Sequence, residues 1–74
     1  MSDFPIISGV KLVKLLSKLG FEIVRQKGSH VFVKHRDGRT SVIPVHKGKD
    51  LKLGLLKKIL KEVNISVKEF LKIV

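Results

Sequence analysis

The chain has 74 residues, no cysteine, and a formal net charge of +10 from 16 Lys and Arg against 6 Asp and Glu. This length allows one domain with one modest core, and the composition excludes disulfides, Cys-based zinc sites and thiolate chemistry. The one-sided positive charge favours a polyanionic partner such as RNA, DNA, an anionic membrane or an acidic protein, although a lysine-rich surface can also serve solubility alone.

The first residues, Met1 to Pro5, lack the basic start and apolar run of a signal peptide. No later stretch approaches the about 20 apolar residues that a membrane helix needs. We therefore expect a soluble, cytoplasmic protein that does not insert into a membrane.

Residues 9 to 19 are predicted to form an amphipathic helix. Four leucines follow the i, i+3, i+4, i+7 spacing of one helix face, namely Leu12, Leu15, Leu16 and Leu19. Lysines occupy the opposite face. Ser8 is a predicted N-cap, and Gly20 is the predicted C-terminal stop.

Three short strands are predicted next, at residues 21–27, 30–36 and 40–45. All three are rich in β-branched or aromatic residues, and the second alternates apolar with polar side chains. Asp37-Gly38 predicts a tight two-residue hairpin turn between the second and third strands. Pro44 indicates that the third strand ends there or lies at a sheet edge.

Alternation along these strands predicts which side chains share a face. Val31 and Val33 are predicted to point into the core, with Ile43 and Val45 as the inward pair of the third strand. The solvent-facing side then carries His30, Phe32, Lys34, Arg36, Pro44 and His46. The register of the first strand stays open, because both Ile23 and Val24 are candidates for burial.

A second amphipathic helix is predicted to run to about Val63, with a basic face at Lys57, Lys58 and Lys61. Its apolar stripe consists of Leu56, Ile59, Leu60 and Val63. Asp50 is a candidate N-cap, whereas Gly54 favours a later start. Ser66 and Glu69 have the spacing of a capping box, so residues 66–73 are predicted to form a short third helix.

These elements predict an α+β fold: a helix, a three-stranded antiparallel sheet, a second helix and a short C-terminal helix. Such a sheet can bury one face under the two main helices and leave the other in water. We expect residues 1–74 to form a single domain.

His30 is the candidate for chemistry because an imidazole exchanges protons near neutral pH. Cleavage of RNA through the ribose 2′-hydroxyl requires such proton transfers, together with cations that stabilise the phosphorane. Lys27, Lys34 and Arg36 are candidates for that charge, and Phe32 is a candidate platform for an unpaired base. A lone strand histidine, however, is usually a surface or hydrogen-bonded residue, and a strand phenylalanine more often belongs to the core.

Other chemistries find little support in the sequence. The three histidines and six scattered carboxylates show no compact metal-ligand spacing. No glycine-rich nucleotide loop or paired-carboxylate site appears. We expect neither a metal site nor a small-molecule cofactor.

Several short motifs together resemble the HicA toxin family: Gly20-Phe21, Gly28-Ser29-His30, residues 44–49 (Pro-Val-His-Lys-Gly-Lys) and Gly54-Leu55. The likeness covers about residues 8–71. The order of the motifs is more specific than any one of them. Where the family often has proline before the glycine of the second helix, this chain has Leu53.

The resemblance implies a fold similar to double-stranded-RNA-binding domains and the activity of an mRNA-cleaving toxin. It implies that His30 is the catalytic residue and that His46 is a supporting one. It also implies a HicB antitoxin that covers the active surface. With the charged and aromatic residues above, the expected RNA-binding set is Lys27, Ser29, Phe32, Lys34, Arg36, His46 and Lys47.

Two other functions remain open from the sequence. A non-catalytic RNA-binding module of the same architecture would use the same basic side chains for phosphate contacts. A small interaction domain with an acidic protein partner would also explain the charge. Binding to a membrane surface is less favoured, because the amphipathic helices are needed to cover the sheet.

Overall fold

The computed structural model describes residues 4–74, and the first three residues of the expected domain lie outside this part. The elements are α1 (Gly9–Lys18), β1 (Phe21–Lys27), β2 (His30–His35), β3 (Thr40–Pro44), α2 (Leu53–Glu62) and α3 (Val67–Ile73). The strands form one antiparallel sheet in the order β1-β2-β3. The predicted α+β architecture is confirmed. None of the helices in residues 4–74 is long and apolar enough to cross a membrane.

Helix α1 begins and ends close to its predicted bounds. The Ser8 hydroxyl accepts a hydrogen bond from the Lys11 backbone N–H at 3.1 Å, which confirms the N-cap. Leu12, Leu15 and Leu16 are buried, but Leu19 is 38% exposed. The prediction that Leu19 completes the stripe is wrong because the last helical residue is Lys18, and Leu19 is the C-cap.

The core lies between one face of the sheet and the helices. Val31, Val33 and Ile43 are buried there, as predicted. Val45 is half-buried and packs against the core, as predicted, but it lies beyond β3, which ends at Pro44. Ser41 is the second inward residue of β3, and its hydroxyl donates to Glu62 Oε1 at 2.7 Å. That bond satisfies a buried polar group and joins β3 to α2.

The loop from β2 to β3 differs from the prediction. Strand β2 ends at His35, and the Gly38 N–H donates to the His35 carbonyl at 2.9 Å, which gives a three-residue loop instead of a two-residue turn. Arg36 therefore belongs to this loop. The prediction that Arg36 shares the strand face of His30 is wrong. At about 3.3 Å per strand residue, it lies at the opposite end of β2, about 20 Å from His30.

A small polar network holds this loop against the helices. His35 Nε2 donates to the Leu19 carbonyl at 3.1 Å, and its ring packs edge-on against Phe21 at a centroid distance of 5.0 Å. Arg39 Nη1 donates to the Val63 carbonyl at the end of α2 at 2.6 Å. The Arg39 backbone N–H donates to Asp37, which holds the pKa of that carboxyl below its ordinary value. These contacts give His35 a structural role.

Helix α2 follows the later of its two predicted starts, and α3 has its predicted N-cap. Helix α2 begins at Leu53 with Lys52 as N-cap and no side-chain capping bond, so Asp50 is not its cap. Its stripe of Leu56, Ile59, Leu60 and Val63 is buried. At α3 the Ser66–Glu69 capping box is present with both of its hydrogen bonds.

The start of α1 packs directly on the end of β3. Gly9 is buried, and a Cβ at this position would overlap the Pro44 carbonyl oxygen. Just before the helix, Ser8 forms a β-bridge with Asp50, and the Leu51 N–H donates to the Ile7 carbonyl at 2.8 Å. These backbone contacts fix α1, the end of β3 and the segment before α2 relative to one another.

Gly9→Ala is expected to lower the free energy of unfolding by about 1–3 kcal/mol, because the added methyl group meets backbone that cannot rotate away. Urea denaturation monitored by circular dichroism measures the effect. Val10→Ala in the same helical turn is the control, since Val10 is 45% exposed. Equal stability of Gly9→Ala and the wild type would contradict the close packing of α1 on β3.

Candidate functional site

The Gly28-Ser29 dipeptide is the two-residue turn that joins β1 to β2. Gly28 has a φ of 59°, and the only non-glycine residue with positive φ in the described part of the chain is Asn64, so Ser29 has negative φ. This combination defines a type II′ turn, which requires glycine at its first central position. The turn places Lys27 directly opposite His30.

A β-bulge in β1 decides which of its side chains lie beside His30. Ile23 stands opposite Val33, but the next pair is Arg25 with Phe32, so Val24 is the extra residue. Strict alternation counted from the buried Phe21 would send Arg25 and Lys27 toward the helices, and the extra residue removes this conflict with the turn. Neither Ile23 nor Val24 is buried, at 54% and 60% exposure. The bulge therefore resolves the open register of β1 by turning two cations to the solvent side.

We call the resulting surface the open face; it comprises Glu22, Arg25, Lys27, His30, Phe32, Lys34, Thr40, Val42 and Pro44, which stand opposite one another across the three strands. His30 lies at one end, between Lys27 on β1 and Pro44 on β3. Side chains of such directly opposed residues have Cβ atoms about 4.5–5.5 Å apart. Lys27 is thus the cation nearest to His30 on the neighbouring strand.

Phe32 lies on the open face, half-buried, two residues along β2 from His30. The guanidinium carbon of Arg25 is 5.7 Å from the centre of its ring, within cation–π range. An aromatic ring and a guanidinium are the two side-chain groups on which unpaired bases stack. Arg25 was not among the predicted site residues because the bulge that exposes it cannot be read from alternation.

Most of the sequence-predicted site residues come together here. Lys27, His30, Phe32 and Lys34 share the open face. Ser29 lies in the adjoining turn, where its carbonyl accepts the Val45 N–H at 2.6 Å. Arg36 does not join them, for the reason given above.

His46 and Lys47 lie in the exposed loop that follows β3, where the Lys49 N–H donates to the His46 carbonyl at 3.1 Å. Next to this loop, a pocket is lined by Pro44, His46, Lys49, Asp50, Leu51, Lys52 and Leu55. Sequence reasoning missed Lys49 and Lys52, and it considered Asp50 only as a helix cap. All three line this pocket together with His46, and Asp50 is held there by its β-bridge with Ser8.

Cations predominate among the ionisable side chains of the site. Among residues 4–74, no three His, Cys, Asp or Glu side chains lie close enough together to hold a metal ion. Apart from the Glu22 carboxylate, which stands opposite Lys34, the ionisable groups of the open face are one imidazole, two ammonium groups and a guanidinium. Such groups exchange protons and bind phosphate oxygens.

A comparison with protein-family models matches residues 9–65 to the family described as the HicA toxin of bacterial toxin–antitoxin systems. The chain belongs to the HicA toxin family. A search of curated proteins finds no match to the chain. HicA proteins are toxins and generally endoribonucleases, so an antitoxin partner is implied. The matched segment of this HicA chain contains the whole sheet and the pocket beside it.

Gly28→Ala in this HicA chain is expected to lower stability by about 1–3 kcal/mol, because an L-residue is strained at the φ of 59°. Thermal unfolding measures this loss, because Tm falls by about 4–8 °C for each kcal/mol of stability lost in a domain of this size. Ser29→Ala is the matched control, since the second turn position tolerates a Cβ. Equal melting temperatures for Gly28→Ala and Ser29→Ala would show that the turn is not type II′.

Proposed function

We propose that this HicA protein is an endoribonuclease that cuts mRNA without a metal ion, with His30 as the catalytic general acid–base residue. The observation that carries the proposal is the position of His30: it is exposed on a cationic sheet face, directly opposite Lys27 and close to Phe32. The family match supports a nuclease, and the motif Gly28-Ser29-His30 supports the choice of histidine.

In the proposed reaction the ribose 2′-oxygen attacks the adjacent phosphorus. His30 accepts the 2′-hydroxyl proton as the P–O2′ bond forms; the P–O5′ bond breaks as the leaving O5′ takes a proton from solvent, and His30 then returns its proton to solvent. The products are a 2′,3′-cyclic phosphate and a 5′-hydroxyl. No water is consumed in this step, so no activated hydroxide is needed.

The charge that develops on the phosphorane needs cations close to His30. Lys27 is placed to stabilise the non-bridging oxygens, since it stands opposite His30 across the type II′ turn. Lys34, Arg25 and Phe32 extend the interface along β1 and β2, where they would hold the flanking nucleotides. Ser29, His46 and Lys47 complete the proposed RNA interface at the end nearest to His30.

His30→Ala is expected to reduce cleavage of single-stranded RNA by at least about a hundredfold, the usual contribution of a general acid–base residue. The assay uses purified protein in EDTA, with end-group analysis of the products. Ser17→Ala, an exposed position on α1, is the control for handling and fold. Undiminished cleavage by His30→Ala would refute the site, and a 5′-phosphate product would refute the 2′-hydroxyl mechanism.

The second candidate is a non-catalytic RNA-binding module, and the cationic open face is the observation that favours it. The same measurements separate the two. Salt-dependent RNA binding by the wild type, with no turnover, would favour the module, because each phosphate contact adds to the salt dependence whether or not chemistry follows.

We further propose that a HicB-type antitoxin inhibits the protein by covering the open face. The net charge of +10 favours binding of an acidic partner, and the cations Arg25, Lys27 and Lys34 are exposed on the open face. Complementary charge would also speed the association. An antitoxin in this place would exclude RNA from His30 by occupying its surroundings.

The reading frame next to this one is expected to encode a small acidic protein that abolishes RNA cleavage at equimolar amounts. Amide signals of Lys27, His30 and Phe32 should shift in NMR spectra of the complex, because the antitoxin lies on the open face. Helix α3 is the internal control. Inhibition with shifts confined to Val67–Ile73 would contradict the proposed mode of inhibition.

A further inference from the structure

A pocket of about 240 Å³ opens beside the end of β3, next to the His30 end of the open face. Its apolar lining comes from Pro44, Leu51 and Leu55, and its polar lining residues include His46, Lys49 and Lys52. Asp50 is its one carboxylate. Pro44 belongs both to the pocket and to the open face, where it stands directly opposite His30.

Backbone contacts anchor the part of the pocket formed by Asp50 and Leu51. Asp50 forms its β-bridge with Ser8, and the Leu51 N–H donates to the Ile7 carbonyl at 2.8 Å. Leu51 is 8% exposed and belongs to the core. A ligand would therefore meet a floor that is already in place, which avoids part of the entropic cost of ordering it.

We propose that this pocket binds the base of an unpaired nucleotide next to the scissile phosphate, and that Asp50 makes guanine the preferred base. This rests on the proposed function, since it names a substrate preference for cleavage at His30. It goes beyond that function by assigning a separate subsite, formed by residues outside the open face except for Pro44.

The size and lining of the pocket fit a single base. Drug-sized ligands occupy pockets of about 300–1,000 Å³, so this smaller pocket accepts one flat group. Apolar walls contact the faces of a base, while Lys49 and Lys52 attract the phosphates on either side of it. The position beside Pro44 allows the base to enter while its neighbouring phosphate reaches His30.

Asp50 supplies the selectivity because an ionised carboxylate only accepts hydrogen bonds. Guanine presents two adjacent donors on its Watson–Crick edge, N1–H and N2–H, which a carboxylate can bind in a bidentate manner. Adenine and cytosine present an amino group beside an acceptor nitrogen, and uracil presents one donor between two acceptors. A well-placed bidentate contact favours the matching base over the others by about 1–3 kcal/mol. A difference of about 1.4 kcal/mol corresponds to a tenfold difference in affinity.

The first test is binding of single nucleotides to the full chain, followed by NMR of the Leu51 and Leu55 methyl groups. The probes are the four nucleoside monophosphates and inorganic phosphate. We expect GMP to shift these methyl signals and to bind at least about tenfold more tightly than AMP, CMP or UMP. Inorganic phosphate should leave the methyl signals unchanged. Equal binding of all four nucleotides, or shifts caused by phosphate alone, would overturn the proposal.

Two variants test the subsite in the cleavage reaction. Leu55→Phe narrows the pocket, and Leu53→Phe is its matched control, because Leu53 lies in the same helical turn but does not line the pocket. Asp50→Asn keeps the shape and replaces the carboxylate by an amide. We expect cut sites of the wild type to carry guanine at one fixed position beside the cleaved bond. In Asp50→Asn this preference should fall about tenfold while the other sites are still cut.

The outcomes separate this proposal from the proposed function. Cleavage that depends on His30, with no guanine preference and no response to Asp50→Asn, would overturn the subsite alone. GMP binding at Leu51 and Leu55 by a protein that cuts no RNA would support the subsite and overturn the nuclease. If Leu55→Phe fails to fold, Asp50→Asn decides the matter. Loss of antitoxin binding in Asp50→Asn, with unchanged GMP binding and cleavage, would assign the pocket to the protein partner instead.

Discussion

The close backbone contact between Gly9 and Pro44 is the constraint on which the site depends. With no side chain at Gly9, α1 rests directly on the last residue of β3. Pro44 is also the residue opposite His30 and one wall of the pocket beside β3. This contact therefore holds α1 against the residue that both faces His30 and lines the pocket. The Ser8–Asp50 bridge extends the same clamp to the segment that completes the pocket.

The bulge at Val24 allows β1 to contribute positive charge to the open face. A regular β1 would place its cations under the helices, where ammonium and guanidinium groups without partners are costly. The extra residue sends Arg25 and Lys27 to the open face instead. It also leaves Ile23 and Val24 exposed on an edge strand. Their side chains therefore add little to the hydrophobic core, although a domain this small has only a modest core. The site is thus obtained at some cost in core packing.

Local signals in the sequence were enough for the order of elements and most of their bounds. Ser8, Ser66 and Glu69 mark helix starts through bonds to residues three positions away, so a linear pattern identifies them. The failures have causes outside the local pattern. Leu19 follows its helical spacing but lies past the end of α1, and the Asp37-Gly38 turn is widened as His35 bonds to Leu19 and Gly38. Neither effect is visible from alternation or periodicity.

In the site, too, some residues are identified by a local sequence motif and others only by the fold. Gly28, Ser29 and His30 are adjacent in sequence, yet they act differently: Gly28 supplies a backbone conformation, and Ser29 accepts a backbone bond from Val45. Only the third residue projects a reactive side chain onto the open face. The motif therefore identifies His30 without its surroundings, because strand pairing sets Lys27 opposite it and the bridge to Ser8 holds Asp50 in the pocket that Pro44 also lines. A tripeptide can mark the proposed catalytic residue, but contacts between distant parts of the chain set the charges and the pocket around it.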